Sequence, residues 1–172
     1  MQHLQTLDAA PATSQARLVE RTPSRHWSAQ STALHAHWTT LSQSDGRPWD
    51  AFDPLQWTGL LPNIWLLDVQ QKPFRLKFRL VGTRIVEQIH ADPTGRWLDE
   101  ALPHLVDNVD FIERYRMAAI EGVPVWTIGP ADIRPGNPTR AIENLILPFT
   151  VVDTKQSLLL MHSIFHGYSR RG

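Results

Sequence analysis

The run from Phe74 to Gly82, FRLKFRLVG, restricts the fold of this chain more than any other stretch. Phe74, Leu76, Phe78 and Leu80 alternate with Arg75, Lys77 and Arg79. A period of two sends the apolar side chains to one side of an extended backbone and the cations to the other. The run therefore predicts a half-buried antiparallel strand. IWLLDVQQ, from Ile64 to Gln71, precedes it with only Lys72 and Pro73 between, which predicts a hairpin. A lone hairpin is marginal in water, so the remaining chain must cover its apolar face.

The cover is legible on both sides. Leu34, Trp38 and Leu41 fall at i, i+4 and i+7 and predict a leading helix from about Thr32 to Leu41. Asp53–Pro54 marks a short helix start, with Asp as N-cap and Pro at the first helical position. After the hairpin, Gly82 and Thr83 open a helix to His90, with Thr83 as its cap, and Arg96 to Leu102 forms another. A longer helix is expected from His104 to Glu121, burying Leu105, Val109, Ile112 and Ala119 and stopped by Gly122 and Pro124. Three strands then finish the chain: Val123 to Ile133, Glu143 to Asp153 and Ser157 to Tyr168. Between the first two lies the loop Pro135–Gly136–Asn137–Pro138. The expected class is α+β: a five-stranded antiparallel sheet, a helical crossover after strand two and an N-terminal helix.

A chain of 172 residues with 42% apolar content is long enough for one domain with a sizeable core. Residues 1–30 are rich in Gln, Thr, Ser, Ala and Arg and read as a flexible or partner-docking segment. The domain is placed at 31–168, with 169–172 as a polar tail. The 17 basic and 17 acidic residues balance, which argues against a nucleic-acid binder or a polybasic membrane-surface protein. With no cysteine there are no disulfides, thiolate metal sites or Cys nucleophiles. No apolar run of transmembrane length and no apolar signal core are present, so a cytoplasmic location is expected.

The order of elements, with FRLVGTRI (Phe78 to Ile85) and ADPTGRWLDE (Ala91 to Glu100), resembles a bacterial family of short PAS-like proteins. Arg79 ahead of Gly82–Thr83, the Thr94–Gly95 pair, Leu147–Pro148 and Trp38 carry the resemblance, which spans about Leu34 to Tyr168. It implies a PAS fold and a sensing or regulatory role through a bound small molecule or a partner. It does not name the ligand.

The residue-level candidates follow from chemistry. Trp97, Tyr115, Trp126 and Trp65 offer an apolar wall with one donor each, as a ligand cavity needs, against the alternative of ordinary core. Trp97 and Tyr115 are preferred because the helical crossover covers the cavity in the PAS layout. Arg79 inside a strand is a ligand contact if it points inward, and an ion pair or interface residue if outward; the alternation favours outward. His162 and His166 lie on a strand, where four residues span roughly 13 Å, too far for one metal. His162 is retained as a cavity-lining candidate and otherwise as a hydrogen-bonded core histidine. His35 and His37 are expected in solvent, and Asp99 and Glu100 at a helix start. Leu34, Trp38 and Leu41 are assigned to a dimer interface.

No Walker loop, dinucleotide fingerprint or nucleophile elbow occurs, so no catalytic residue is assigned. No metal is expected, and haem, through His90 or His104, and flavin are disfavoured. The reading is a non-enzymatic sensor that binds a small organic ligand and signals through a homodimer or protein partner. The alternatives are a ligand-free interaction module, or a small cone-shaped α+β enzyme using Asp132 with His162.

Overall fold

All five expected strands form, and a sixth precedes them. The computed structural model describes residues 17–41, 43, 46–131 and 141–167. Within these, β1 (Leu18–Glu20) and α1 (Ala29–Thr40) come first, followed by three 3-10 turns between Trp49 and Asn63. The hairpin β2 (Ile64–Gln71) and β3 (Phe74–Val81) leads into four helices: α2 (Thr83–Ile89), α3 (Leu98–Ala101), α4 (Pro103–Val106) and α5 (Val109–Glu121). The chain closes with β4 (Val125–Pro130), β5 (Ala141–Val151) and β6 (Gln156–His166). The described strands make one antiparallel sheet in the order β1-β4-β5-β6-β2-β3. The fold is α+β. Among the described residues no helix is long and apolar enough to cross a membrane.

The sheet is covered on both faces. Trp65, Leu67, Phe78, Ile146, Leu159 and Met161 face α2–α5 and form the inner core with Ile85, Leu105 and Tyr115. Ile64, Leu66, Leu145, Leu147, Leu158 and Leu160 face the other way and pack with Leu34, Trp38, Trp27 and Phe52. Parity along the strands separates the two sets, because successive side chains leave opposite faces.

Several expectations change. Residues 17–30 are not a free tail. Leu18 to Glu20 pair with Ile128 to Trp126 on the edge of β4. Glu20 then gathers Ser24, His26 and the Trp27 indole N–H. Helix α1 begins three residues earlier than Thr32, because Ser28 caps it by accepting from the Ser31 N–H. Gly82, not Thr83, is the N-cap of α2, and it has no side-chain cap bond. The long helix divides at Asp107–Asn108, where the Asn108 side chain caps α5 through the Phe111 N–H. As a result Val109 is 71% exposed, and Tyr115 and Ala118 are the buried residues of α5. The alternation in β3 stops at Phe78, because Arg79 is the extra residue of a bulge between the pairs Leu67↔Phe78 and Leu66↔Leu80. Leu80 is thereby shifted in phase and left 46% exposed. The loop from Pro135 to Pro138, Asp132 and Tyr168 lie outside the described residues.

Gly82 is required by close approach rather than by its dihedral angles. A Cβ there would run into the carbonyl oxygens of Leu61 and Pro62, both backbone atoms that cannot swing away. Gly82→Ala is expected to lower stability by roughly 1–3 kcal/mol, as overpacking does. Gly59→Ala is the control, because nothing lies within 4 Å of a Cβ at Gly59. Urea unfolding of the two variants checks the contrast.

Candidate functional site

Helix α5 places Phe111 and Tyr115 one turn apart, so their rings meet with centroids 4.7 Å apart. The pair hangs over the inner face of the sheet and leaves a cavity of about 220 Å³. The sheet supplies one wall: Trp65 from β2, Ile142 and Asn144 from β5, and Met161 from β6. Helix α4 adds His104 and Leu105, and Asn108 stands at the break before α5. Arg17, just before β1, and Arg114 on α5 complete the rim.

The polar groups of this cavity are organised. The Trp65 indole N–H donates to Ser163 Oγ at 2.8 Å, and Ser163 in turn donates to Asn144 Oδ1 at 2.6 Å. This relay fixes the Trp65 ring, which also stacks on Phe78. Tyr115 donates to Met161 Sδ at 2.7 Å. Burial pushes the Tyr115 phenol well above its ordinary pKa, while Arg114 and Arg17 pull the opposite way. The phenol is therefore a neutral donor at physiological pH. Arg17 Nη2 donates to the Pro130 carbonyl at 2.6 Å, which ties the start of β1 to the end of β4.

The structure sorts the sequence candidates by face. Tyr115 and Trp65 line the cavity. Trp97 does not. It precedes α3 on the surface beside β3, with the Arg75 guanidinium 4.2 Å from its ring centroid and Lys77 at 5.6 Å. Arg75 also binds Asp99 and Glu100, which lowers the pKa of Asp99. Arg79 points to solvent and pairs with Asp68 at 2.7 Å, so it is not a cavity residue. Trp126 and His162 lie on the opposite face of the sheet, because their parity in β4 and β6 turns them toward α1. Leu34 and Trp38 are buried against the chain's own sheet and Leu41 is half-buried, so the apolar stripe assigned to a dimer is already covered. His35 and His37 are half-buried rather than solvated, packed against Trp27 and Trp38 and against Phe52 and Trp57.

Cavity residues not singled out from sequence are Arg17, Asn108, Phe111, Ile142, Asn144 and Met161, while Arg114, which the helical spacing sets outside in an i,i+4 pair with Asp110, lines the cavity as well. The Phe111–Tyr115 spacing was a usable signal for one of them. Arg17 and Asn144 had none, since one lay in an apparent tail and the other in an apolar strand.

A second polar cluster lies on the α1 face. Glu143 is 2% exposed, and its Oε1 accepts from Ser28 N, Ser28 Oγ, Ser31 Oγ and Trp126 Nε1 at 2.7–3.0 Å. Its Oε2 lies 3.6 Å from His166 Nε2. Burial pushes the Glu143 carboxyl up, but the donors from Trp126, Ser31 and Ser28 outweigh it, and the net shift is below the ordinary glutamate value. His162, also 2% exposed, is pushed down to about 4 by burial, against an opposing pull from Glu143. Asp132, the acid considered with His162, lies outside the described residues. Among the described residues no group of three or more His, Asp or Glu side chains could hold a metal ion.

Comparison with protein-family models, with curated proteins and with solved structures returned no match.

Proposed function

We propose that this chain is a non-enzymatic PAS-type sensory or regulatory domain that holds a small organic molecule between its sheet and its helical crossover. The observation that carries the reading is the cavity of about 220 Å³ under α4 and α5, walled by aromatic and apolar side chains with a few oriented polar groups. The strand order β4-β5-β6-β2-β3, with all four crossover helices inserted between β3 and β4, supports the layout. The third strand of the hairpin sheet is a sequence-late one, as that layout requires. With both faces of the central sheet covered, the output surface is the exposed rim: the β1 edge and the solvent side of α1 and α5. Signalling runs through a homodimer or a protein partner that reads this rim.

The test uses the purified full chain. Denaturation followed by mass spectrometry and a visible spectrum of the released fraction is expected to yield a stoichiometric small molecule. Leu105→Trp, which fills part of the cavity from α4, is expected to purify folded by circular dichroism and empty. An empty wild-type protein whose melting temperature no member of a broad metabolite set raises would overturn the reading.

A further inference from the structure

We propose that the cavity under α4 and α5 takes a small uncharged ring ligand with a carbonyl oxygen, as in a ketone, ester or lactone, and that the Asn144 side-chain amide donates to that oxygen. This rests on the ligand-binding reading above and narrows it to one chemical class.

The polarity of the site follows from its buried relay. An indole N–H can only donate, so the 2.8 Å contact from Trp65 makes Ser163 Oγ an acceptor there. The single hydroxyl proton of Ser163 is then directed at Asn144, 2.6 Å away across the β5–β6 pair. The Asn144 atom facing Ser163 is therefore the carbonyl oxygen, and the NH2 group is turned away from it. Ser163 shares its parity with Met161 and Asn144 with Ile142, so the relay stands on the inner face of the sheet. Asn144 lines the cavity, and its nitrogen is not an enclosed atom. The group it brings to the open space is a pair of N–H donors, aimed before any ligand arrives by Trp65 and Ser163, which are themselves buried.

Asn108 repeats this polarity. Its Oδ1 accepts from the Phe111 N–H at 3.2 Å in capping α5, which leaves its NH2 as the group for the rim. The Tyr115 hydroxyl already donates to Met161 Sδ. Arg17 and Arg114 are engaged in the protein's own contacts, Arg17 with the Pro130 carbonyl and Arg114 beside the Phe111 ring. Amide donors carry no charge, so an uncharged acceptor matches them, whereas a buried anion needs a cation of its own.

Size narrows the class further. A dry apolar cavity of about 150 Å³ accepts benzene. The present volume of about 220 Å³ adds room for a carbonyl group on one ring, with Trp65, Phe111 and Met161 as its apolar surroundings.

Nuclear magnetic resonance titration of the isotope-labelled full chain, stripped of any co-purified molecule, compares three probes. They are acetophenone, its isostere α-methylstyrene with CH2 in place of the oxygen, and benzoate. Acetophenone is expected to bind about fivefold or more tightly than α-methylstyrene, the worth of one neutral hydrogen bond, and more tightly than benzoate. It is also expected to shift the Asn144 side-chain NH2 signals downfield, which α-methylstyrene does not. Asn144→Leu is expected to bring acetophenone down to the affinity of α-methylstyrene. Ser163→Ala, which releases the Asn144 amide, is expected to weaken acetophenone and leave α-methylstyrene unchanged. The probe comparison and the NH2 signals use the unaltered chain, so they decide even where a substitution unfolds it. Equal binding of α-methylstyrene, or a co-purified molecule without an acceptor oxygen, would overturn the carbonyl assignment while leaving ligand binding intact. Tighter binding of benzoate would overturn it in favour of an anion. If no probe binds and nothing co-purifies, both the assignment and the ligand-binding reading fail.

Discussion

Glu143→Ala is expected to unseat the N-terminal helix and to lower the unfolding free energy by about 3–5 kcal/mol, the range for breaking a buried charged network from one side. One carboxylate oxygen accepts from the Ser28 backbone N–H, the Ser28 and Ser31 hydroxyls and the Trp126 indole. Alanine leaves all four donors buried without that acceptor, and an abandoned donor costs its full desolvation. Glu143→Gln keeps an oxygen in place and loses only the charge assistance, so a smaller loss of about 1–3 kcal/mol is expected. The two variants also differ in where the damage appears. Ser28 caps α1 and Trp126 stacks on Trp27 at 5.6 Å, so Glu143→Ala should change near-ultraviolet tryptophan signals before the inner core opens. Urea unfolding followed by both far- and near-ultraviolet dichroism measures this. A loss below about 1 kcal/mol for the alanine variant would mean that the four donors are satisfied by other groups.

Acidification from pH 6.5 toward pH 4 is expected to cost about 3 kcal/mol through His162 alone. The sign follows from proton counting. The folded state holds His162 near a pKa of about 4, while the unfolded chain titrates it at the ordinary 6.5. Between those values the unfolded state binds the extra proton, so stability present in full above pH 6.5 is lost as the pH falls. His35, lowered by burial and by Arg47, contributes to the same limb. Glu143, Asp99 and Asp92, whose pKa values are also lowered, lose their contributions only as pH falls through the carboxylate range. The interval between pH 6.5 and 5 therefore isolates the histidines. His162→Leu is expected to flatten that interval, and chemical denaturation at half-unit steps of pH checks it. An unchanged slope in the variant would show that His162 is not the titrating group.

The strands were legible because their patterns are strong and local. FRLKFRLVG and the apolar runs at Ile64, Glu143 and Ser157 each occupy a strand close to the expected bounds. Other features depend on partners far away in sequence, which no local pattern displays. β1 has three residues and exists because β4 offers an edge; Leu18 and Val19 remain exposed even there. The break before α5 depends on a single asparagine cap inside a continuous helical pattern. The bulge at Arg79 reverses the phase of the last residues of β3 without changing their composition.

The candidate site was legible only in part, for the same reason. Tyr115 is reachable from sequence through the place of the crossover in the resemblance, not through its helix face, which the pattern sets at Val109, Ile112 and Ala119 while the structure buries Tyr115 and Ala118. Trp126 and His162, candidates for the cavity wall, lie on the other face of the sheet, and a strand buried on both sides gives no alternation that would show it. Trp38 looked like an unpartnered interface, yet its indole donates to the Pro148 carbonyl at 2.8 Å and its ring lies under the Arg47 guanidinium. Glu143 carries no local signal: an acidic residue near the start of a strand reads as solvent-facing, and only the fold brings four donors from Ser28, Ser31 and Trp126 onto it.

The two covered faces have a consequence for how this sequence can drift. From Leu145 to Phe149 in β5 and from Leu158 to Ser163 in β6 every residue is buried. An ordinary half-buried strand lets every second position vary, and its history of substitution shows a stripe. Here neither parity is at liberty: one set holds the cavity wall, the other holds the seat of α1. Variation should concentrate instead on the β1 edge and the outer turns, so these two central strands are the stretch by which distant kin of this chain could be found.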